Sequence, residues 1–138
     1  MIVLDTSAVS TIMHRVPASL EKLRSYKPAD IVLAAPVAAE ISFGLHRLPA
    51  RSRRRRALED EYRQLREVVR WANWEESAAF EFGRQKARLA SRGEIIDDLD
   101  IAIGSIAIQL VARLATHNAE HFRRLQGLAV EDWGPPLS

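Results

Sequence analysis

The sequence contains no cysteine. This absence excludes a disulfide framework, a thiolate metal site and a cysteine nucleophile, and it suits a reducing cytoplasm. Long apolar runs are also missing, because no stretch approaches the ~20 residues of a membrane span. The first residues reach an acid at Asp5 without the basic start and longer apolar run of a signal peptide. We therefore expect a soluble, cytoplasmic protein with no membrane partner.

Two nucleotide-binding patterns are absent as well. The sequence has neither the G-x-x-x-x-G-K-[ST] loop that holds phosphates nor a dinucleotide-binding glycine fingerprint, so nucleotide cofactors have no support. The composition is that of a globular protein, with 47% hydrophobic and 28% charged residues. No repeat, linker or change of composition divides the chain. We therefore predict a single domain over residues 1–138.

Short apolar runs alternate with helical patterns along the chain. Strands are predicted over residues 1–4, 31–35, 70–73, 113–117 and 129–131. Helices are predicted over residues 17–26, 36–48, 52–70, 75–91, 101–111 and 120–125, with Asp97 or Asp98 as the N-cap of the fifth. Strands that are separated by helices need crossover connections. The pattern therefore favours an α/β fold with a mostly parallel sheet that is covered on both faces.

Oxygen-bearing side chains follow the predicted strands. Asp5 ends the first strand, Glu40 lies early in the helix after the second, Asp98 and Asp100 begin the helix that leads into the fourth, and Asn118 follows the fourth. Because ligands of open parallel sheets bind at the carboxyl ends of the strands, we expect these side chains at one edge. Carboxylates this close repel one another unless a cation joins them. Oxygen ligands suit Mg²⁺ or Mn²⁺, which indicates phosphoryl or phosphodiester chemistry.

Each acid also has a purely structural explanation. Asp97 is best explained as a helix cap, and Asp98 fits a cap and a functional role equally well. The helix dipole favours Asp100 in the first turn, and Glu40 could be a solvated residue. The joint placement of these acids, more than any one of them, supports a site.

Four segments carry a more specific pattern. They are MIVLDTS at residues 1–7, AE at residues 39–40 followed by Gly44, RGEIIDDLDIAI at residues 92–103, and ATHN at residues 115–118 followed by Phe122, Gly127-Leu128 and Trp133. Together they resemble the PIN-domain family, and in particular the VapC ribonuclease toxins of bacterial toxin-antitoxin pairs. The resemblance implies a three-layer α/β/α sandwich with a short, mostly parallel sheet and an acidic pocket for Mg²⁺ or Mn²⁺. It also implies an RNA substrate and inhibition by a VapB-type antitoxin.

The resemblance also assigns roles by position. Asp5, Glu40 and Asp100 match the three family acids that hold the metal, and Asp98 matches a nearby position that is acidic in many members. These four acids are the predicted catalytic residues. Asp5 and Asp100 are the predicted metal ligands, and Glu40 or Asp98 would orient the attacking water. Because water is then the nucleophile, the resemblance implies products with a 5′-phosphate and a 3′-hydroxyl.

Three neighbouring positions complete the comparison with the family pattern. Thr6 matches a polar residue beside the first acid, and Asn118 falls where some members carry a fourth acid and others an asparagine. Both are predicted supporting residues. His121 departs from the pattern, because an acid often precedes the phenylalanine at Phe122. These departures leave the presence of a second metal open.

The arginine-rich stretch before residue 57 has two interpretations. Clustered guanidiniums neutralise phosphates, so the predicted RNA-binding residues are Arg53, Arg54, Arg55 and Arg56. The alternative is a solvated helix start. Trp71 and Trp74 are more typical of a core or an interface than of base stacking. His117 and His121 have a spacing that could serve zinc, but no further histidine or cysteine supports such a site.

Two further expectations concern function and assembly. A catalytically silent PIN fold that binds RNA or a partner is the alternative function. A receiver-type signalling domain is disfavoured, because such a domain normally has a lysine near its last strand and the lysines of this chain, Lys22, Lys27 and Lys86, lie elsewhere. The helices over residues 36–48 and 52–69 offer more apolar surface than one short sheet needs, through Ile41, Phe43, Leu45, Leu58, Tyr62 and Leu65. Surplus apolar surface usually marks an interface, so a homodimer is predicted.

Overall fold

A computed structural model describes residues 1–135 of the chain, so residues 136–138 of the predicted domain lie outside it. The strands are β1 (Ile2–Leu4), β2 (Ile31–Ala34), β3 (Arg70–Ala72), β4 (Arg113–Thr116) and β5 (Val130–Asp132). The helices are α1 (Thr6–Met13), α2 (Pro17–Arg24), α3 (Ala35–His46), α4 (Arg53–Val68), α5 (Glu76–Ser91), α6 (Asp98–Gln109) and α7 (Ala119–Phe122). A 3₁₀ turn at Pro28–Asp30 precedes β2.

The five strands form one parallel sheet in the order β3-β2-β1-β4-β5. Val3 of the central strand is in register with Val32 of β2 and with Leu114 of β4. The chain moves outward from β1 to β3 and then crosses back to β4 and β5. With right-handed crossovers, this reversal places α1 to α4 on one face and α5 to α7 on the other. The predicted three-layer α/β/α sandwich with a parallel sheet is confirmed.

The core lies around the central strands. Every residue of β1 and β2 is buried, because a strand covered on both faces needs a continuous apolar run. Helix α6 is buried over Ile101–Ala107, and Phe122 is the largest fully buried side chain of the described residues. No helix within residues 1–135 is both long and apolar enough to span a membrane.

The predicted strands all occur, with end points that differ by one or two residues. Helix α1 was missing from the sequence-based assignment, although Asp5, Thr6 and Ser7 were recognised as cap-forming residues. It has only eight residues and contains the β-branched Val9, Thr11 and Ile12, which are weak helix formers. Its start is fixed by the cap, where the Asp5 side chain accepts a hydrogen bond from the Ala8 amide.

Candidate active site

The site lies where the sheet changes direction, at the carboxyl ends of β1 and β4. From β1 the chain continues to one side of the sheet, whereas β4 and β5 lie on the other. Helices that leave neighbouring strands for opposite faces open a crevice at such a point, which is where α/β proteins bind ligands. Asp5 immediately follows β1, and Thr116 ends β4.

Asp5 is held rigidly at this position, with only 4% of its surface exposed. Its Oδ1 accepts hydrogen bonds from the Ala8 amide at 2.8 Å and from the Ser7 hydroxyl at 2.7 Å. Its Oδ2 accepts one from the Thr116 hydroxyl at 2.6 Å. Burial raises the pKa of the Asp5 carboxyl in spite of these donors. The fold therefore keeps a carboxylate where burial disfavours its charge.

Glu40 is joined to the same end of the sheet by Thr6. The Thr6 hydroxyl donates a hydrogen bond of 2.5 Å to Glu40 Oε1, although the two residues are 34 positions apart. Thr6 begins α1 and Glu40 lies on α3, so this bond links the helices that follow β1 and β2. The predicted supporting residue is thus in direct contact with a predicted catalytic acid.

Asp100 completes the group from the other face of the sheet. It lies in the first turn of α6, and its Oδ2 is 3.0 Å from Nε2 of His121 on α7. Burial raises its pKa to about 6, the charge of His121 opposes this increase, and the charges of Glu40 and Asp5 add to it. The structure therefore brings Asp5, Glu40 and Asp100 within electrostatic range of one another.

Asp98 and Asn118 are placed differently from these three acids. The Asp98 carboxylate is 63% exposed and pairs with Lys86 on α5 at 2.9 Å. Asn118 is exposed, and its backbone amide donates to the Thr116 hydroxyl at 2.9 Å. Asn118 is therefore linked to the site through its backbone, and its supporting role stays a prediction. The Asp98 carboxylate pairs with a lysine of this chain and not with the other acids.

Two hydroxyl residues of the site were missed in the sequence. Ser7 and Thr116 both donate to Asp5. Ser7 and Thr116 lie within the segments that resemble the family, but neither was predicted to contact Asp5. The available signal was position, since a hydroxyl at the end of the strand next to β1 must face the residue that follows β1.

The donor set suits a hard divalent cation. Three carboxylates share the site, and the repulsion that raises the pKa of Asp100 would be relieved by positive charge. Within residues 1–135, no three histidine or acidic side chains are close enough to surround an ion. Mg²⁺ usually takes one or two protein carboxylates and keeps several waters, so two of these acids would be enough to hold it. That Asp5 and Asp100 are those two stays a prediction.

The predicted RNA-binding arginines separate into two groups. Arg53, Arg54 and Arg56 are exposed near the start of α4. Arg55 instead donates to Glu59 at 2.8 Å and to the Leu48 carbonyl at 3.4 Å, with a side chain that is only 16% exposed. Arg55 is therefore part of the helix packing, whereas the other three are free to meet a polyanion.

A cavity of about 240 Å³ lies between one of these arginines and one of the acids. Arg54 lines it together with Thr6 and Glu40. Its remaining wall is mostly apolar and comes from α1, α3, α4 and the connection between the last two: Met13, Ile41, Leu45, Leu48 and Leu58. A ligand with both apolar and charged groups fits this cavity.

Comparison with known proteins identifies the fold family. The PIN domain family model matches residues 2–128. Ribonuclease VapC2 of Rickettsia felis is 28% identical over 134 residues, which cover 94% of this chain and 96% of that protein.

Solved structures agree with this match. VapBC2 from Rickettsia felis, bound to a DNA fragment from its promoter, has a TM-score of 0.85 at 24% identity and covers 96% of this chain and 99% of that one. VapBC-1 from nontypeable Haemophilus influenzae has a TM-score of 0.79 at 28% identity and covers 96% and 98%. With its parallel sheet, its acids at the carboxyl edge and a family match over nearly its whole length, the chain belongs to the PIN domain family.

Proposed function

We propose that this protein is a metal-dependent endoribonuclease that acts as the toxin of a toxin-antitoxin pair. The observation that carries the proposal is the meeting of Asp5, Glu40 and Asp100 at one crevice, where their mutual repulsion helps to raise the pKa of Asp100 to about 6. The similarity to a protein named Ribonuclease VapC2 supports RNA as the substrate. The similarity to VapBC structures supports a VapB-type antitoxin as the partner.

Asp5 and Asp100 would hold the cation, which is Mg²⁺ or Mn²⁺ in this proposal. Its positive charge would lower the pKa of a water molecule and offset the charge that develops on the phosphate oxygens. Asp5 is suited to this role because Ser7, Ala8 and Thr116 fix both of its oxygens. Pre-organisation of this kind lowers the cost of positioning the cation.

Glu40 would orient the attacking water and accept its proton. Thr6 holds Oε1 of Glu40, so Oε2 is the oxygen that can receive the proton. Asp98 remains a predicted alternative for this step. To act there, its carboxylate would have to leave Lys86.

Arg53, Arg54 and Arg56 would hold the RNA backbone through its phosphates. Arg54 is the central residue of this contact, because it lines the same cavity as Glu40. The RNA would therefore run from the start of α4 toward the acids. Phosphate contacts of this type position the substrate and carry no sequence information.

The antitoxin would occupy the cavity between α1, α3 and α4. An amphipathic helix could place its apolar side chains against Leu45 and Leu48, which line the cavity and are only partly buried. An arginine of the same partner could then pair with Glu40 at the inner end of the cavity. Such a partner would inhibit cleavage by competing with the cation and the RNA.

A homodimer is also part of the proposal. Of the apolar residues of α3 and α4 that were expected to be surplus, Ile41, Leu58 and Leu65 are buried in the core. Phe43 on α3 is 64% exposed and is the apolar side chain of that set that an interface between two copies would cover.

The decisive experiment is RNA cleavage by the purified protein with Mg²⁺, with Mn²⁺ and with EDTA. Cleavage with either ion and none with EDTA would support the proposal. Asp100→Asn should abolish cleavage, and Asp30→Asn is the matched control because Asp30 is exposed near the amino end of β2, at the opposite edge. RNA binding without cleavage under all conditions would instead identify a catalytically silent PIN fold.

A further inference from the structure

Gly44 lies in α3, at a position where the packing of the protein does not require a glycine. Outside its own helical turn, a Cβ atom at this position would meet no atom of residues 1–135 within 4 Å. Glycine destabilises a helix relative to alanine, because it loses more backbone entropy on folding. The chain therefore keeps a destabilising residue in α3 where alanine would fit.

The missing side chain leaves space in the cavity between α1, α3 and α4. Gly44 lines this cavity together with Glu40, which lies one turn earlier on the same face of α3. Helical side chains lean toward the amino end of their helix, so a larger residue at position 44 would extend toward Glu40. Gly44 therefore keeps the cavity open beside a proposed catalytic acid.

The lining of the cavity combines apolar surface with a few polar groups. Leu45 and Leu48 supply apolar surface that is only partly buried, and Ser10 and His14 supply polar groups. His14 Nδ1 donates a hydrogen bond of 2.8 Å to the Ser10 carbonyl, so Nε2 is the ring nitrogen that can contact a ligand. Sites that read single-stranded nucleic acid hold an unstacked base between flat or apolar side chains and contact its edge with polar groups.

The charged residues of the cavity favour a nucleotide as its occupant. Arg54 can pair with one phosphate of a chain, and Glu40 lies where the phosphate that is cut would be. A nucleotide that joins two such phosphates would carry its base between them, against the apolar wall.

We propose that this cavity binds one base of the RNA substrate next to the phosphodiester that is cut, and that Gly44 keeps the base site open. The proposal rests on the proposed function and adds a specificity site to it. An antitoxin in the same cavity would then inhibit by taking the place of this base.

The first experiment measures the affinity for a single-stranded RNA oligonucleotide in EDTA, which separates binding from cleavage. Gly44→Leu should fill the cavity and weaken binding about tenfold. Gly83→Leu is the matched control and should bind normally, because Gly83 is an exposed glycine within α5 whose Cβ would also meet no atom of the described residues within 4 Å. Gly44→Ala and Gly83→Ala should both raise the melting temperature by about 2–4 °C, which shows that neither fold depends on the glycine.

The second experiment identifies the base with oligonucleotides in which one nucleotide at a time lacks its base. One of these substitutions should weaken binding to the natural protein about tenfold. The same substitution should have little further effect in Gly44→Leu, since both changes remove one interaction.

Equal RNA affinity of the natural protein and Gly44→Leu, or no effect of a missing base at any position, would overturn the base site and leave the cavity to the antitoxin. Metal-dependent RNA cleavage would still stand in that case. A natural protein that binds RNA with the expected dependence on one base but cleaves none with Mg²⁺ or Mn²⁺ would instead overturn the proposed function and leave the base site in place.

Discussion

Two partly buried carboxylates of this protein have opposite environments. Asp100 faces Glu40 and Asp5, and burial together with these charges raises its pKa to about 6 against the opposing charge of His121. Burial also disfavours the charge of Glu131. There, hydrogen bonds from Tyr26 and Trp133 and the charges of Arg113 and Lys22 outweigh burial and lower the pKa.

The difference separates a carboxylate whose charge is compensated within the fold from one whose charge is not. Tyr26 donates to Glu131 Oε1 at 2.5 Å, Trp133 donates to Oε2 at 2.9 Å, and Arg113 donates to the Tyr26 hydroxyl at 2.6 Å. These bonds connect β4 and β5 to the segment after α2. The negative charges of the crevice acids are only partly balanced by donors and cations of the protein. A cation from solution would therefore be attracted to them.

The largest expected effect is the loss of RNA cleavage in Asp5→Asn. An amide removes the negative charge that would hold the cation, while Oδ1 can still accept from Ala8 and Ser7. Cleavage should fall by about 100-fold or more, with a nearly unchanged melting temperature. Glu131→Gln should instead lower the melting temperature and leave RNA cleavage by the folded protein unchanged. If both variants lose activity equally, the proposed separation of roles is wrong.

A smaller effect is expected when the hydrogen bonds around Glu131 are weakened. Tyr26→Phe removes one donor to Glu131 and one acceptor for Arg113. The free energy of unfolding should fall by about 1–2 kcal/mol in urea denaturation. Tyr62→Phe is the control, because Tyr62 packs on the core from α4, far from β5. Equal losses in the two variants would argue against a special role of the Tyr26 hydroxyl.

Asp100→Asn is expected to raise the free energy of unfolding of the protein without metal, whereas Tyr26→Phe lowers it. The pKa of Asp100 is about 6 in the folded chain and 3.8 in the unfolded one, so the folded state binds its proton more tightly. The protonated carboxyl stabilises the folded state fully below about pH 4, and this stabilisation is lost as the pH rises through 6. The uncharged side chain of Asp100→Asn should therefore stabilise the protein by about 1 kcal/mol at pH 7.5, after allowance for solvent screening.

The pH profile checks this prediction. Thermal unfolding of the natural protein and of Asp100→Asn should be compared from pH 4 to pH 8 in EDTA. The advantage of the variant should be largest above pH 7 and should shrink below pH 6. A constant difference across this range would show that Asp100 does not titrate as the structure indicates.

The smallest effect concerns the arginines of α4. Replacing Arg53, Arg54 and Arg56 with glutamine should lower the slope of log affinity for RNA against log salt by about 2. Arg55→Gln should leave this slope unchanged, because Arg55 is already paired with Glu59. Cleavage of a saturating substrate should remain near normal in both variants. A reduced slope in Arg55→Gln would show that the ion pair opens to bind RNA.

Sequence patterns predicted the parts of this molecule that depend on local signals. The buried strands were recognisable because they are continuous apolar runs, and Asp5, Glu40 and Asp100 because each follows or precedes a strand. The partners of these acids were not recognisable. The bond between Asp5 and Thr116 spans 111 residues and the contact between Asp100 and His121 spans 21, so only the assembled sheet brings them together.

The role of Asp98 was the hardest to predict for a related reason. Asp98 and Asp100 are two residues apart in the first turn of α6, and residues with this spacing point to different sides of a helix. The sequence could not decide which side faces the crevice. In the structure Asp100 contacts His121 at the crevice, and Asp98 is exposed and pairs with Lys86 on α5.

The central position of β1 has a consequence for how the protein folds. All three acids of the crevice are present by residue 100, but β1 is hydrogen-bonded to β4, which begins at Arg113. Contacts between chain ends this far apart must overcome a large loop-closure entropy and form slowly. A chain that stops before β4 would carry every acid and still lack Thr116, which fixes Asp5. The geometry of the three acids is therefore completed late in folding, after nearly the whole chain has been made.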